Sequence, residues 1–248
     1  MTSDNISKAV VTGAGSGIGL ATGRRLVREG FAVTAVDRDD AGLDRATAEG
    51  MAPLKADLSS DEDRDLVVRA AAGSRCLVNA AGIIVLKPIL DITIEDLETV
   101  YRLNVHAVWD LTERIGATMA AGSSIVNLSS SSAKLAITTE AAAYASTKAA
   151  VLSLTRSFAY AFAGQDVRVN AVCPGIIDTP MQDAVLLKVA AARGVPIGEL
   201  VDARNATVPL KRAASADECA AVIWFLLSAE SSYMTGQAIN VTGGLVMH

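Results

Sequence analysis

The chain carries two rhythms of apolar residues. Short runs rich in Val, Ile, Ala and Leu recur at KAVVTG (8–13), AVTAVD (32–37), APLKAD (52–57), RCLVNA (75–80), SIVNLS (124–129), VRVNAV (167–172) and QAINVT (237–242). Longer stretches between them, at 17–30, 40–49, 60–72, 93–121, 142–163 and 215–228, have apolar positions three and four apart. The short runs predict strands and the longer ones helices. Several strands are apolar at almost every position, as expected of a sheet covered on both faces. Alternation of this kind implies right-handed crossovers. It predicts a single α/β domain over 1–248, built on a doubly wound parallel sheet of about seven strands. The segment 178–212 breaks the rhythm with helical pieces and three prolines after the sixth strand. It leaves from the carboxyl end of a strand, where open α/β sheets bind ligands, and is expected to form a lid over substrate.

Composition narrows the function classes. With 248 residues, 51% of them hydrophobic, the chain is able to bury a large core. Its net charge is −5 and it has no basic run, so no nucleic-acid partner is expected. Cys76, Cys173 and Cys219 are odd in number and form no C-x-x-C, which fits a reducing, cytoplasmic compartment. The start, MTSDNISKAVVTG, lacks the plan of a signal peptide. The most apolar stretch, CAAVIWFLLSA, is far shorter than the roughly 20 residues that cross a bilayer, so no membrane partner is expected. With only His106 and His248 present, no metal site is expected.

Candidate chemistry gathers at the strand ends. VVTGAGSGIGL runs from the first strand into the first helix. Gly13, Gly15, Gly17 and Gly19 would let backbone approach a pyrophosphate, and the helix N-terminus would offer free N–H groups. The spacing is G-x-x-x-G-x-G over Gly13, Gly17 and Gly19. Asp37 closes the second strand, where a carboxylate would accept hydrogen bonds from an adenosine ribose and repel a 2′-phosphate. That favours NAD(H) over NADP(H), although the adjacent Arg38 could stack on adenine or meet a phosphate. Asp57 and Leu58 end the third strand, where they could hold the adenine edge. Asn79, Ala80 and Gly82 end the fourth, where small residues would admit a flat ring or sugar.

Tyr144 and Lys148 lie four apart, on one face of a helix. A phenol with an ordinary pKa near 10 is a poor base at neutral pH, and a nearby ammonium should lower that value. Lys148 could do this while holding ribose hydroxyls, and Tyr144 would then exchange a proton with a substrate oxygen as hydride moves.

These motifs together resemble the short-chain dehydrogenase/reductase family. The resemblance is carried by TGAGSGIG (12–19), NAAG (79–82), YRLNV around Asn104, NLSSSS (127–132), YASTK (144–148) and PGIIDT (174–179), in family order. It implies a Rossmann-type fold, a homotetramer, and a cofactor site that includes Ser16 and Ile18 of the first motif and Pro174 and Gly175 of the last. The resemblance further implies that Ile177 and Thr179 bind the nicotinamide carboxamide. It also implies a tetrad of Asn104, a serine, Tyr144 and Lys148, with Asn104 bending its helix to hold a water. Two family rulers choose different serines. The spacing to tyrosine selects Ser131; the position just after the strand selects Ser130, and is preferred because sheet hydrogen bonds fix a strand end.

The function expected is hydride transfer between NAD(H) and a secondary alcohol or ketone. The ending TGQAINVTGGLVMH resembles family members acting on polyols, sugars and small hydroxy compounds, the preferred substrate class. It also resembles 3-oxoacyl thioester reductases, which usually favour NADPH and form the alternative. A dinucleotide-binding regulator without turnover is the remote one.

Overall fold

The computed structural model describes residues 6–136 and 138–248. All seven predicted strands form: β1 (Lys8–Thr12), β2 (Ala32–Asp37), β3 (Ala52–Lys55), β4 (Ser74–Asn79), β5 (Ser123–Leu128), β6 (Val167–Pro174) and β7 (Ala238–Val241). They build one sheet of order β3-β2-β1-β4-β5-β6-β7 in which every pairing is parallel. The order reverses between β1 and β4, so the connections diverge there and leave a crevice at the carboxyl ends.

Helices cover both faces, which is why β5 and β6 are buried at every position. Alternate strand residues feed two cores. Val10, Leu77, Ile125 and Val169 pack with α3 (Asp61–Ala70), α5 (Ala107–Gly116) and α6 (Ala142–Phe162) through Val67, Leu111, Ile115, Val151 and Phe158. On the other face, Ala9, Val11, Val78, Val126 and Val172 pack with α1 (Gly17–Arg28), α2 (Asp40–Ala48) and α9 (Ala216–Leu227) through Leu26, Ala46, Ile223 and Leu226.

One expectation needs correction. The predicted helix 93–121 divides into α4 (Ile94–Tyr101), a π-helical turn (Arg102–His106) and α5, which stops at Gly116. The extra residue of the π turn is visible in the Ala107 N–H, which donates to the Arg102 carbonyl five residues back. Gly116 marks a close crossing: a Cβ there would strike the Phe162 ring of α6. The helical pieces in 178–212 are α7 (Pro180–Arg193) and α8 (Ile197–Thr207). This excursion leaves and returns at one point. Ile177 bridges Ala214 in parallel fashion, the Asp178 N–H donates to the Ala214 carbonyl (2.9 Å) and the Ala214 N–H to the Ile176 carbonyl (3.0 Å).

Candidate active site

The carboxyl ends of the strands open into a cleft of about 640 Å³. Its floor is the glycine loop between β1 and α1. Gly13 has φ +65°, and a Cβ on it would come within 2.8 Å of the Ala81 backbone. A Cβ on Gly19 would overlap the Gly13 carbonyl, so the first turn of α1 lies against the loop only because both residues are glycine. Thr12 supports the junction: its hydroxyl accepts from the N–H groups of Ala80 (3.0 Å) and Ala81 (3.1 Å). Gly13, Ser16, Gly17, Ile18 and Gly19 all line the cleft.

Asp37, Arg38, Asp57 and Leu58 line the same cleft at the β2–β3 end. The Asp37 carboxylate accepts from the Gly15 N–H (2.9 Å), the Arg38 N–H (2.8 Å) and the Asp39 N–H (3.1 Å). It therefore ties the end of β2 to the glycine loop. Arg38 reaches across to Asp57 at 3.9 Å. Hydrogen bonds from the Ser59 N–H and hydroxyl hold the Asp57 carboxyl below its ordinary range.

At the opposite end lie Ser130, Ser131, Tyr144 and Lys148. Lys148 is buried and its ammonium donates to the Leu128 carbonyl at the end of β5 (2.8 Å). Burial pushes it down to about 8. Burial also pushes the Tyr144 phenol up to about 12, with hydrogen bonding from Ser130 acting the other way. This corrects the expected direction. The ammonium lies 5.6 Å from the Tyr144 ring centre, and desolvation of the phenolate dominates. The phenol is protonated at neutral pH and faces the cleft as a proton donor. The two serines are also separated. The Ser129 N–H still bonds β6 through the Val172 carbonyl (2.8 Å), so Ser130 is the first residue beyond the ladder. Ser131 begins the short helical turn that follows.

Pro174, Gly175, Ile177 and Thr179 line the wall after β6, with Ala80 and Gly82 facing them across the switch point. Thr179 caps α7 by accepting from the Gln182 N–H (3.4 Å), and its methyl would lie 3.2 Å from a Cβ on Gly17. It joins the glycine loop to α7.

Two predicted residues lie beneath the cleft instead of lining it. Asn79 points to the α5–α6 side, where its amide donates to Asn127 (2.8 Å) and Thr112 (3.1 Å). Parity with Leu77 on β4 sets that direction. Asn104 is fully buried on the π turn. Its side chain accepts from the Ile83 N–H (2.9 Å) and donates to the Ile83 carbonyl (2.9 Å) and the Thr147 hydroxyl (3.1 Å). It clamps the strand-four loop onto α6 from the π turn that interrupts its own helix. Its carboxamide oxygen and the Lys148 ammonium converge on Gly82, where a Cβ would lie 3.3 and 3.5 Å from them.

The sequence reading missed most of the wall on the Tyr144 side. Ile84 and Leu86 follow β4, Met181 and Val185 lie on α7, and Arg204 on α8. Only their place in or beside the predicted lid pointed to them.

A family model described as enoyl-(acyl carrier protein) reductase matches residues 13–246. The chain belongs to the short-chain dehydrogenase/reductase family. Within that family it is 36% identical to the 3-oxoacyl-(acyl-carrier-protein) reductase FabG of Thermotoga maritima, over 96% of this chain and 97% of the relative. It is 33% identical to galactitol 2-dehydrogenase of Agrobacterium fabrum, covering 97% of each. Among solved structures of the family, a single-residue variant of actinorhodin polyketide ketoreductase with NADPH superimposes with a TM-score of 0.90, at 30% identity over 99% of both chains. Family membership makes the protein an oxidoreductase of alcohols and ketones that uses a nicotinamide dinucleotide.

Proposed function

We propose that this protein interconverts a secondary alcohol and a ketone with NAD(H). The observation that carries the reading is the meeting of Tyr144, Lys148 and Ser130 in the cleft that also holds the glycine cradle and Asp37. The residues fit a dinucleotide, because Gly13 and Gly19 leave no room for a Cβ and bring bare backbone to the cleft floor. Gly13 to Gly19 and the α1 N-terminus would hold the pyrophosphate, Asp37 the adenosine ribose, and Ile177 and Thr179 the carboxamide. When bound, the nicotinamide supplies or accepts the hydride.

The chain's own groups handle the proton. Ser130 orients the carbonyl oxygen by hydrogen bonding. Tyr144 donates its proton to that oxygen during reduction. The Lys148 ammonium stabilises the phenolate left behind. Asn104 acts at one remove, fixing the Ile83 backbone and the α6 turn that carries these groups.

Asp37 supports NAD(H), since its charge opposes a 2′-phosphate. The second reading, a 3-oxoacyl thioester reductase using NADPH, draws on the Thermotoga relative and on Arg38, whose side chain is 66% exposed beside the ribose position. The polyol reading draws on the galactitol relative. Apolar side chains of Ile84, Leu86, Met181, Val185 and Leu245 along the cleft support instead a substrate with an apolar body. Helices α7 and α8 serve as the lid over it. Exposed Trp109 and Tyr160, on α5 and α6, support self-association.

The test is a screen of alcohols with NAD⁺ and ketones with NADH, followed by single substitutions. Tyr144→Phe and Ser130→Ala should each lower kcat by roughly 10²-fold or more while dinucleotide binding persists, and Ser131→Ala should be far milder. Retained turnover in Tyr144→Phe rejects the proton-transfer role. Tighter binding of NADPH than NADH rejects the role given to Asp37.

A further inference from the structure

The charged residues of the cleft are unevenly distributed. Its lining carboxylates, Asp37 and Asp57, both sit at the β2–β3 end. The end formed by α6, α7 and α8 is lined by two cations, Lys148 and Arg204, and among the described residues by no carboxylate. Lys148 is committed to the Leu128 carbonyl and the proposed chemistry. Arg204 is not used by that chemistry.

The Arg204 side chain is only 13% exposed. Most of the side chain is covered, and a cation so placed is usually paired. Its neighbours under-supply it. Nε and Nη2 both donate to the one amide oxygen of Asn205, at 3.3 and 3.2 Å. Nη2 also lies 3.5 Å from the Asp178 carboxylate, which is 70% exposed and so mostly solvated. Among the described residues Nη1 has no hydrogen-bond partner. A planar fork with a free donor nitrogen, on α8 in the same cleft end as Met181, Val185, Leu86 and Ile84, is suited to a carboxylate or phosphate.

We infer that Arg204 selects substrates that carry an anionic group, set off from the reacting carbon by an apolar segment lying along Met181, Val185, Leu86 and Ile84. The substrate class is then an oxo acid or hydroxy acid, or a phosphorylated ketone of the same layout. This rests on the reading of the cleft as an alcohol–ketone site. The pyrophosphate of the dinucleotide has its own partners in the glycine loop and the α1 N-terminus.

Two measurements test it. In the first, the enzyme with NADH reduces matched sets of straight-chain ketones, one ending in methyl, one in carboxylate and one in phosphate. The wild type should prefer one of the charged series, and which one identifies the group. Arg204→Gln should shrink the ratio of kcat/KM, charged over neutral, by roughly 10- to 10²-fold, with Arg204→Lys intermediate. A ratio that does not move, or a wild type indifferent to charge, overturns the inference. In the second, which needs no turnover, hexanoate, hexyl phosphate and hexanamide are titrated into the enzyme–NAD⁺ complex by calorimetry. One of the two anions should bind more tightly than the amide, and that advantage should vanish in Arg204→Gln. If instead the variant weakens NADH binding itself, Arg204 belongs to the dinucleotide site and the inference fails. Absence of turnover with every set, alongside anion binding that Arg204→Gln abolishes, would exclude straight-chain ketones as substrates and leave the anion site at Arg204 standing.

Discussion

At the scale of single residues, the site depends on two titrating groups moved in opposite directions by the same cause. Burial lowers Lys148 to about 8 and raises Tyr144 to about 12. Ketone reduction needs the phenol protonated and the amine charged. Both conditions hold at neutral pH. As pH rises, the lysine is lost first, because its folded value lies below that of the tyrosine. The kcat/KM for reduction should therefore be level through neutrality and fall as pH passes about 8. A profile that climbs through pH 8 would mean the neutral amine is the working form. Tyr144, Lys148 and Asp37 were readable from the sequence because their positions are tied to strand ends or to helical spacing. Asn79 was not, since nothing in NAAG says which way its side chain turns until β4 pairs with β5. The reversed direction of the Tyr144 shift was equally hidden, because desolvation is a property of the folded surroundings.

Among the elements, strands were the most legible, since an apolar run bounded by polar ends needs no tertiary information to be recognised. The π turn was not, because inserting one residue into a helix leaves the apolar period of 93–121 nearly unchanged. The path of α8 across the cleft was also illegible: the helix has no buried residues, and its segment is held from its ends, by the Ile177–Ala214 bridge and by the Leu210 N–H donating to the Gly243 carbonyl (3.1 Å). One long-range device is measurable. Arg168 on β6 closes the carboxyl end of α9 by donating to the carbonyls of Leu226 (2.9 Å) and Ser228 (3.0 Å) and to the Ser231 hydroxyl (2.8 Å). The Ser124 and Ser231 hydroxyls share the Leu226 carbonyl with it, and the cation also suits the negative pole of the helix. Arg168→Ala should lower stability by about 3 kcal/mol, read as an earlier midpoint in urea at unchanged slope. Arg168→Lys should recover only part, since one ammonium cannot reach carbonyls splayed across a fork. A midpoint shift too small to measure would show that water replaces these bonds without loss.

For the whole molecule, the exposed aromatic side chains bear on self-association. The sheet's α5–α6 face carries Trp109, 50% exposed, and Tyr160, 90% exposed, above a packed row of aromatics. Trp109 meets Phe158 edge-on at 5.0 Å, and Phe158 stacks on Phe162 at 5.6 Å. Rings held this rigidly lose little freedom on binding a partner, which makes the face well suited to a two-fold contact with itself. A second apolar region surrounds the β7 edge, where Tyr233 and Met247 are almost fully exposed. One self-complementary face builds a dimer; two such faces on different sides of one chain build a closed tetramer with crossed two-fold axes. Light scattering after size exclusion should thus give four times the chain mass. Trp109→Glu with Tyr160→Glu should halve it, because charges facing each other across a two-fold repel and must be desolvated to pair. Tyr233→Glu with Met247→Glu should also halve it, through the other face. Combining all four should leave monomers, with the far-ultraviolet circular dichroism of the parent retained, since none of the four side chains is in the core. A wild-type chain that runs as a monomer at micromolar concentration would remove the assembly, and with it the only role these exposed rings have been given.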